Sequence, residues 1–328
     1  MNIQDIFSSF SQLKALIIGD VMVDSYVWGA VDRISPEAPV PVVNAQRIEN
    51  RLGGAANVAL NVQALGAQPI LCSVTGNDEE GNTLNGLLQE KGLTAQGIVT
   101  SDERITTVKR RILAGSQQLL RVDTEVDSEI QAKEIEALVA RVKQLVQGHQ
   151  IQVIIFEDYD KGVLTRPLIE EVIAFANAKG IPTIVDPKKR NFLSYKGSTL
   201  FKPNLKELKE GLNITLHGGD LNGIRKGVQQ LREHMPVDSA MITLSEYGIY
   251  ISNFTEDYLL PAHKREIADV SGAGDTVVSI AGLCLALQLP LSQIAGLANL
   301  GGGLVCEHLG VVPVDKARLA EEAQKIYG

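Results

Sequence analysis

Lys14-Ala15-Leu16-Ile17-Ile18-Gly19-Asp20-Val21-Met22 is an apolar run closed by Gly-Asp. It reads as a buried strand over Lys14 to Ile18 that delivers a carboxylate at its carboxyl end. Similar runs recur at Pro69 to Val74, Ile151 to Phe156, Pro182 to Val185, Ala240 to Leu244 and Gly248 to Ile251. Between them, apolar residues at helical spacing mark Ala55 to Leu65, Gly81 to Lys91, Ile130 to Val146, Arg166 to Ala178, Leu205 to Leu212, Leu221 to His234 and two closing helices. Strands alternating with helices predict an α/β fold, a mostly parallel sheet covered on both faces. In such sheets ligands gather at the carboxyl ends of strands. Asp20, Asp158, Asp186 and Ser245 each follow a strand and share that rim. A dinucleotide-binding reading fails on position, because Gly19-Asp20-Val21-Met22 stands where a G-x-G-x-x-G would follow the first strand.

Two segments break the alternation. Tyr26 to Val31 with Val40 to Ile48, and Ile105 to Leu113 with Gln118 to Val122 around an Ala114-Gly115-Ser116 turn, read as antiparallel hairpins. Together they make a small sheet beside the main one, serving as a water-excluding lid, as a subunit contact, or as both.

Composition bounds the rest. At 328 residues and 45% hydrophobic content, the chain can bury a full core in one large domain. A net charge of -8, without a long Lys/Arg block, argues against a nucleic-acid surface. Cys72, Cys284 and Cys306 lie far apart in apolar segments and read as buried small hydrophobes, in neither a zinc pattern nor a disulfide framework. Met1 to Phe10 lacks a basic start, and no apolar stretch is long enough to span a bilayer, so a cytoplasmic protein without membrane contact is expected.

Two glycine turns carry the chemistry. In Asp269-Val270-Ser271-Gly272-Ala273-Gly274-Asp275-Thr276 small residues open onto Val277, Val278, Ile280, Ala281, Leu283, Cys284 and Leu287 at helical spacing. Unpaired N–H groups at that helix start can hold an anion and stabilise a transferring phosphoryl group, and Asp275 can take a proton from an attacking hydroxyl. Tight packing is the competing reading of the same small residues. In Leu52-Gly53-Gly54-Ala55-Ala56-Asn57 the glycines let polyol hydroxyls approach backbone N–H groups, with Asn57 able to donate and accept; here too packing competes.

The pair of turns settles more than either alone. Gly53-Gly54 through Asn57 and Gly66 to Gly76, joined with Asp269 to Asp275, resembles the two signatures of the PfkB (ribokinase-like) carbohydrate kinases, and the likeness covers nearly the whole chain. It implies a single ribokinase-like kinase domain over 1–328, with lid hairpins near 25–48 and 104–123. On this resemblance Asp275 is the catalytic base and Gly272, Ala273 and Gly274 form the anion hole. Lys188, in Asp186-Pro187-Lys188, lies near the ATP phosphates. Asn204-Leu205-Lys206-Glu207 matches an N-x-x-E motif whose glutamate is associated with Mg2+, usually through water. Thr243, Ser245 and Gly248 fall on the nucleotide side, and Asn299 falls near the adenine.

Gly19 to Asp24, Arg33 to Val42, Thr106 to Lys109 and Gln117 to Asp123 further resemble the heptose 7-phosphate kinases. These phosphorylate the anomeric hydroxyl of D-glycero-β-D-manno-heptose 7-phosphate on the way to ADP-heptose and the lipopolysaccharide core. The resemblance implies acceptor contacts from Asp20, Asp24, Gly53, Gly54, Asn57, Lys109, Arg111, Arg121, Asp158 and Lys161. Strand alternation from Lys109 through Arg111, with Arg121 opposite and Arg33 and Arg47 on the other hairpin, gives a cationic cluster for a second phosphate. A charged edge that blocks aggregation is the alternative. Departures from the heptose-kinase pattern are Glu157 for serine, Lys202 for threonine and Arg110 for an apolar residue. Without an H-x-G-H motif, no adenylyltransferase domain is expected here. Family analogy implies a homodimer joined through the lids. Two alternatives stand beside a heptose 7-phosphate kinase: a PfkB kinase for another sugar or sugar phosphate, and a non-catalytic regulator that binds sugar or nucleotide.

Overall fold

The computed structural model describes residues 1–115 and 117–328; Ser116, in the expected Ala114-Gly115-Ser116 turn, lies outside the described residues. The first strand, β1 (Lys14–Gly19), lies inside a nine-stranded sheet. On one side it pairs with β4 (Gln68–Gly76) and, beyond it, β5 (Gly97–Ser101). On the other side follow β8 (Val153–Glu157), β9 (Thr183–Asp186), β10 (Leu200–Phe201) and β11 (Ser239–Thr243), all parallel. Two antiparallel strands, β12 (Ile249–Ser252) and β13 (Asp257–Leu260), complete that edge. The chain leaves β1 towards β4 and later crosses to β8, so the strand order reverses at β1, where such sheets form a crevice.

Strand alternation divides the core between the two faces. Ala15 and Ile17 of β1, with Val153 and Ile155 of β8, face α2 (Ala55–Ala64), α8 (Ala273–Ala286) and α9 (Leu291–Val305). Leu16, Ile18, Ile154 and Phe156 face α4 (Ala132–Gly148), α5 (Arg166–Ala178) and α7 (Leu221–His234). The remaining helices are α1 (Ile3–Ser9), α3 (Glu79–Glu90), α6 (Leu205–Leu212) and α10 (Lys316–Tyr327). Cys72, Cys284 and Cys306 are buried and free. No described helix is long and apolar enough to cross a membrane.

The two hairpins form their own four-stranded sheet in the order β3-β2-β6-β7, from β2 (Val21–Ile34), β3 (Pro41–Gly54), β6 (Thr107–Ala114) and β7 (Gln117–Thr124). The first hairpin is longer than its alternation predicts, because β2 starts directly after Asp20 and β3 runs into α2. Register places Asp24, Arg51, Lys109 and Asp123 in one row and Tyr26, Glu49, Arg111 and Arg121 in the next, on the same face. The opposite face carries Val27, Ile48, Ile112 and Leu120.

Candidate active site

Asp275 lies in the first turn of α8, whose cap, Gly272, has φ 79°. That left-handed geometry turns the chain sharply, so the N–H groups of the helix start open onto a cleft of about 1060 Å³ at the strand ends. Asp275 is buried, and each of its oxygens already has a donor: Asn57 Nδ2 at 2.6 Å from Oδ2 and the Tyr159 hydroxyl at 2.8 Å from Oδ1. Burial pushes its pKa up to about 6, against the pull of the hydrogen bonds from Asn57 and Tyr159. A carboxylate so tuned suits a general base near neutral pH.

The ends of β8, β9 and β10 supply the cleft floor. Glu157 and Asp186 are register partners at the strand ends, and Lys202 follows β10. The Lys202 ammonium lies 2.8 Å from Asp186, with both side chains almost fully buried. Burial works against its charge, but Asp186, Glu207 and Glu157 outweigh that and raise its pKa. Lys188 reaches Glu207 at 2.6 Å, and three neighbouring carboxylates likewise hold it protonated against burial. Glu207 closes a capping box with Asn204 at the start of α6: its Oε2 accepts from Asn204 N, and Asn204 Oδ1 accepts from Glu207 N. Glu157, at the cleft, is buried, its pKa raised by desolvation and by Asp186 and Asp275, and its buried Oε2 has no hydrogen-bond partner among the described residues.

Asp275, Gly272, Ala273, Gly274, Lys188, Asn204, Glu207, Thr243, Ser245, Gly248 and Asn299 therefore share one cleft. Asn299 is tied to the strap before α8 by its bond to the Pro261 carbonyl. On the lid side Asp24 binds Arg111 at 2.6 Å. A Cβ on Gly53 would sit 2.7 Å from Asp24 Oδ2, so glycine is what admits that carboxylate. Lys109 Nζ stands 5.7 Å from the centre of the Tyr159 ring.

Other expected contacts fall elsewhere. Asp20 is consumed by the loop after β8: its oxygens accept the N–H groups of Tyr159, Lys161 and Val163. Asp158 is likewise buried, held by the Tyr195 hydroxyl and the Asp160 N–H. Both brace the rim and do not reach the cleft, because buried carboxylates at a strand end are satisfied first by the nearest donors. Lys161 pairs with Glu125, whereas Arg121, although paired with Asp123, stays directly opposite Arg111. Arg47 stacks on Trp28 at 3.9 Å, and Arg33 is seven residues beyond Tyr26 on β2, roughly 23 Å away along the strand. The cationic cluster thus contracts to Lys109, Arg111 and Arg121. Sequence reasoning gave Tyr159 no role; its signals were its place just after β8, on the rim, and the likeness of Glu157 to Gly162 to a Ser-Asp-Tyr-x-Lys-Gly stretch of the heptose kinases.

Residues 12–317 match the pfkB family of carbohydrate kinases. This chain belongs to that family. The bifunctional protein HldE of Syntrophotalea carbinolica is 41% identical over 321 residues, covering 98% of this chain and 65% of that protein. HldE of Geobacter metallireducens is 39% identical, covering 97% and 64%. The chain thus spans slightly less than two thirds of these relatives. Among solved structures, the tetrameric inhibited form of phosphofructokinase-2 from Escherichia coli superposes with a TM-score of 0.76 at 17% identity, covering 96% of this chain and 98% of that one. Arabidopsis thaliana ribokinase complexed with ribose and ATP gives 0.70 at 15%, covering 94% and 99%. These two likenesses confirm the ribokinase-like fold of this pfkB member.

Proposed function

We propose that this chain is a sugar kinase domain that transfers the γ-phosphoryl group of ATP to the anomeric hydroxyl of D-glycero-β-D-manno-heptose 7-phosphate. The observation that carries the proposal is Asp275, buried and at the start of α8, between an acceptor side built from Asn57, Gly53 and the lid and a donor side built from Lys188 and Glu207. The similarity to proteins named HldE and the heptose-kinase stretches of the sequence support the choice of acceptor.

ATP lies along the rim past Thr243, Ser245, Gly248 and Asn299, its phosphates held by Lys188 and the Gly272 to Gly274 amides. Asp275 accepts the proton of the acceptor hydroxyl as its oxygen attacks the γ-phosphorus in line, ADP departing from the opposite side. Among the described residues no three His, Cys, Asp or Glu side chains converge to cage a metal. The Glu207 carboxylate, which lines the cleft beside Lys188, nevertheless suits Mg2+ carried on the nucleotide, through water as much as directly. When bound, that ion neutralises charge on the phosphoryl group.

Lys109, Arg111 and Arg121 recognise the 7-phosphate. Arg111 and Arg121 are direct cross-strand neighbours of like charge, a placement that an anion between them relieves. The other face of the lid, with Ile48 and Leu120 more than half exposed, joins a second copy in a homodimer. ATP use agrees with a cytoplasmic site of action. The test is ATP consumption against heptose 7-phosphate, fructose 6-phosphate, ribose and adenosine, with the phosphorylated position fixed by NMR. Selective turnover of heptose 7-phosphate at C1 is expected; turnover of only an unphosphorylated sugar overturns the assignment.

A further inference from the structure

Buried Asn57 of α2 holds Oδ2 of Asp275, so Oδ1 is the oxygen whose donor can be exchanged for an attacking hydroxyl. The Tyr159 phenol occupies that oxygen at 2.8 Å. Its proton is firmly held, since burial and the nearby Asp275 carboxylate raise the phenol pKa well above its usual value. The ring sits between Lys109 of the lid, 5.7 Å from its centre, and Lys188 of the donor side, 5.6 Å away. Its N–H is held by Asp20, so the side chain is the part freest to move.

The loop carrying Tyr159 is also tied to the lid. Both roots of the β6–β7 hairpin grip Lys161, two residues on: Arg104 donates to its carbonyl at 2.7 Å, and Glu125 pairs with its ammonium at 2.8 Å. Movement of that hairpin therefore pulls on the loop that aims the phenol at Asp275.

We propose that Tyr159 is a gate on the catalytic base, closed when the acceptor site is empty and displaced when the lid settles over a sugar. This rests on the kinase reading and adds a function to it: suppression of wasteful hydrolysis. With the gate open and no sugar present, a water oxygen bonds to the γ-phosphorus while the bond from that phosphorus to the β,γ-bridging oxygen breaks. ADP leaves with the electron pair, and the water proton passes to Asp275. With the gate closed, the phenol stands where that water would give up its proton. An acceptor hydroxyl replaces the phenol bond for bond, so the buried carboxylate is never left without a donor.

The test compares the full chain with its Tyr159→Phe, Tyr159→Phe/Asp275→Asn and Glu125→Gln variants, measuring ATP–Mg2+ hydrolysis with no sugar present. A gate closed nine-tenths of the time predicts about a ten-fold rise in Tyr159→Phe, and a fall in KM for heptose 7-phosphate of the same order. The rise disappears in the double variant, because it is the uncovered base that activates water. Glu125→Gln keeps the phenol and loosens its tie to the lid, giving a smaller rise. Unchanged hydrolysis in Tyr159→Phe, or a rise that survives Asp275→Asn, overturns the gate; unchanged hydrolysis in Glu125→Gln overturns its coupling to the lid. Failure of the wild type to phosphorylate heptose 7-phosphate is a separate outcome: it removes the proposed acceptor while the sugar-free comparison still decides the gate.

Discussion

The two sheets of this molecule treat charge in opposite ways. On the floor of the cleft, Lys202 and Asp186 are paired and almost fully buried, and Lys188 and Glu207 are largely so. On the lid, Arg121 and Asp123, or Arg47 and Glu49, are paired within reach of solvent. Buried charges have paid their desolvation during folding and stand fixed, which is what stabilising a transferring phosphoryl group requires. Exposed charges stay mobile and hydrated, so they can give up one partner for another. Under the proposed function, the floor serves rate and the lid serves the choice of substrate.

Asp275→Asn makes the sharpest cut between these roles. Turnover should fall by about 10³-fold, within the range for losing a general base, while ATP and sugar still bind. Burial raises the Asp275 pKa from 3.8 to about 6, so the folded state binds its proton more tightly than the unfolded state and ionisation weakens the fold above that window. The Asn variant should therefore melt higher than wild type at pH 7, with the advantage shrinking as pH falls towards 3.8. Near-normal turnover removes Asp275 as the base.

Lys202→Met comes next and strikes stability first. It leaves Asp186 buried without its partner, an expected loss of about 3–5 kcal/mol in chemical denaturation. A loss below about 1 kcal/mol would put this pair in the same class as the lid pairs and break the comparison. The acid limb of kcat/KM is a smaller effect on the same floor. With Asp275 titrating near 6 and active when ionised, activity should climb through that pH and stand at about a tenth of its plateau at pH 5. A limb below pH 4.5 would show a base less buried than this geometry implies.

Legibility in the sequence follows the same division. Short apolar runs alternating with helical spacing exposed the parallel sheet, because β1 and β8 are buried on both faces and read as unbroken apolar stretches. The two-residue β10 and the exposed edge strand β13 carry too little apolar pattern to be seen. Gly272 and Asp275 were legible because helix starts need small residues and a buried carboxylate stands out in an apolar helix. Asp20 and Asp158 were misplaced, since position on the rim says nothing of which way a carboxylate turns or which N–H groups lie nearer than the ligand. The partners of Lys202 and Tyr159 were invisible for a related reason: they are set by tertiary contacts, the end of β9 against the residue after β10 and the loop after β8 against α8, and not by local pattern.

The lid offers the smallest effects and the finest test. Arg111 is four-fifths buried and fixed by Asp24, whereas the Arg121 side chain is half exposed and, among the described residues, paired with Asp123 on its own strand. Arg121→Ala should therefore alter stability by less than about 1 kcal/mol and leave kcat near wild type, raising KM for the sugar phosphate by about 3–5-fold. Arg111→Ala should raise the same KM by about ten-fold, because it also leaves Asp24 unpaired against Gly53. Equal effects on phosphorylated and unphosphorylated acceptors would mean that neither arginine reads the phosphate. A fall in kcat for Arg121→Ala would mean that a solvent-exposed lid charge reaches the reacting atoms, and the separation of rate from choice between the two sheets would not hold.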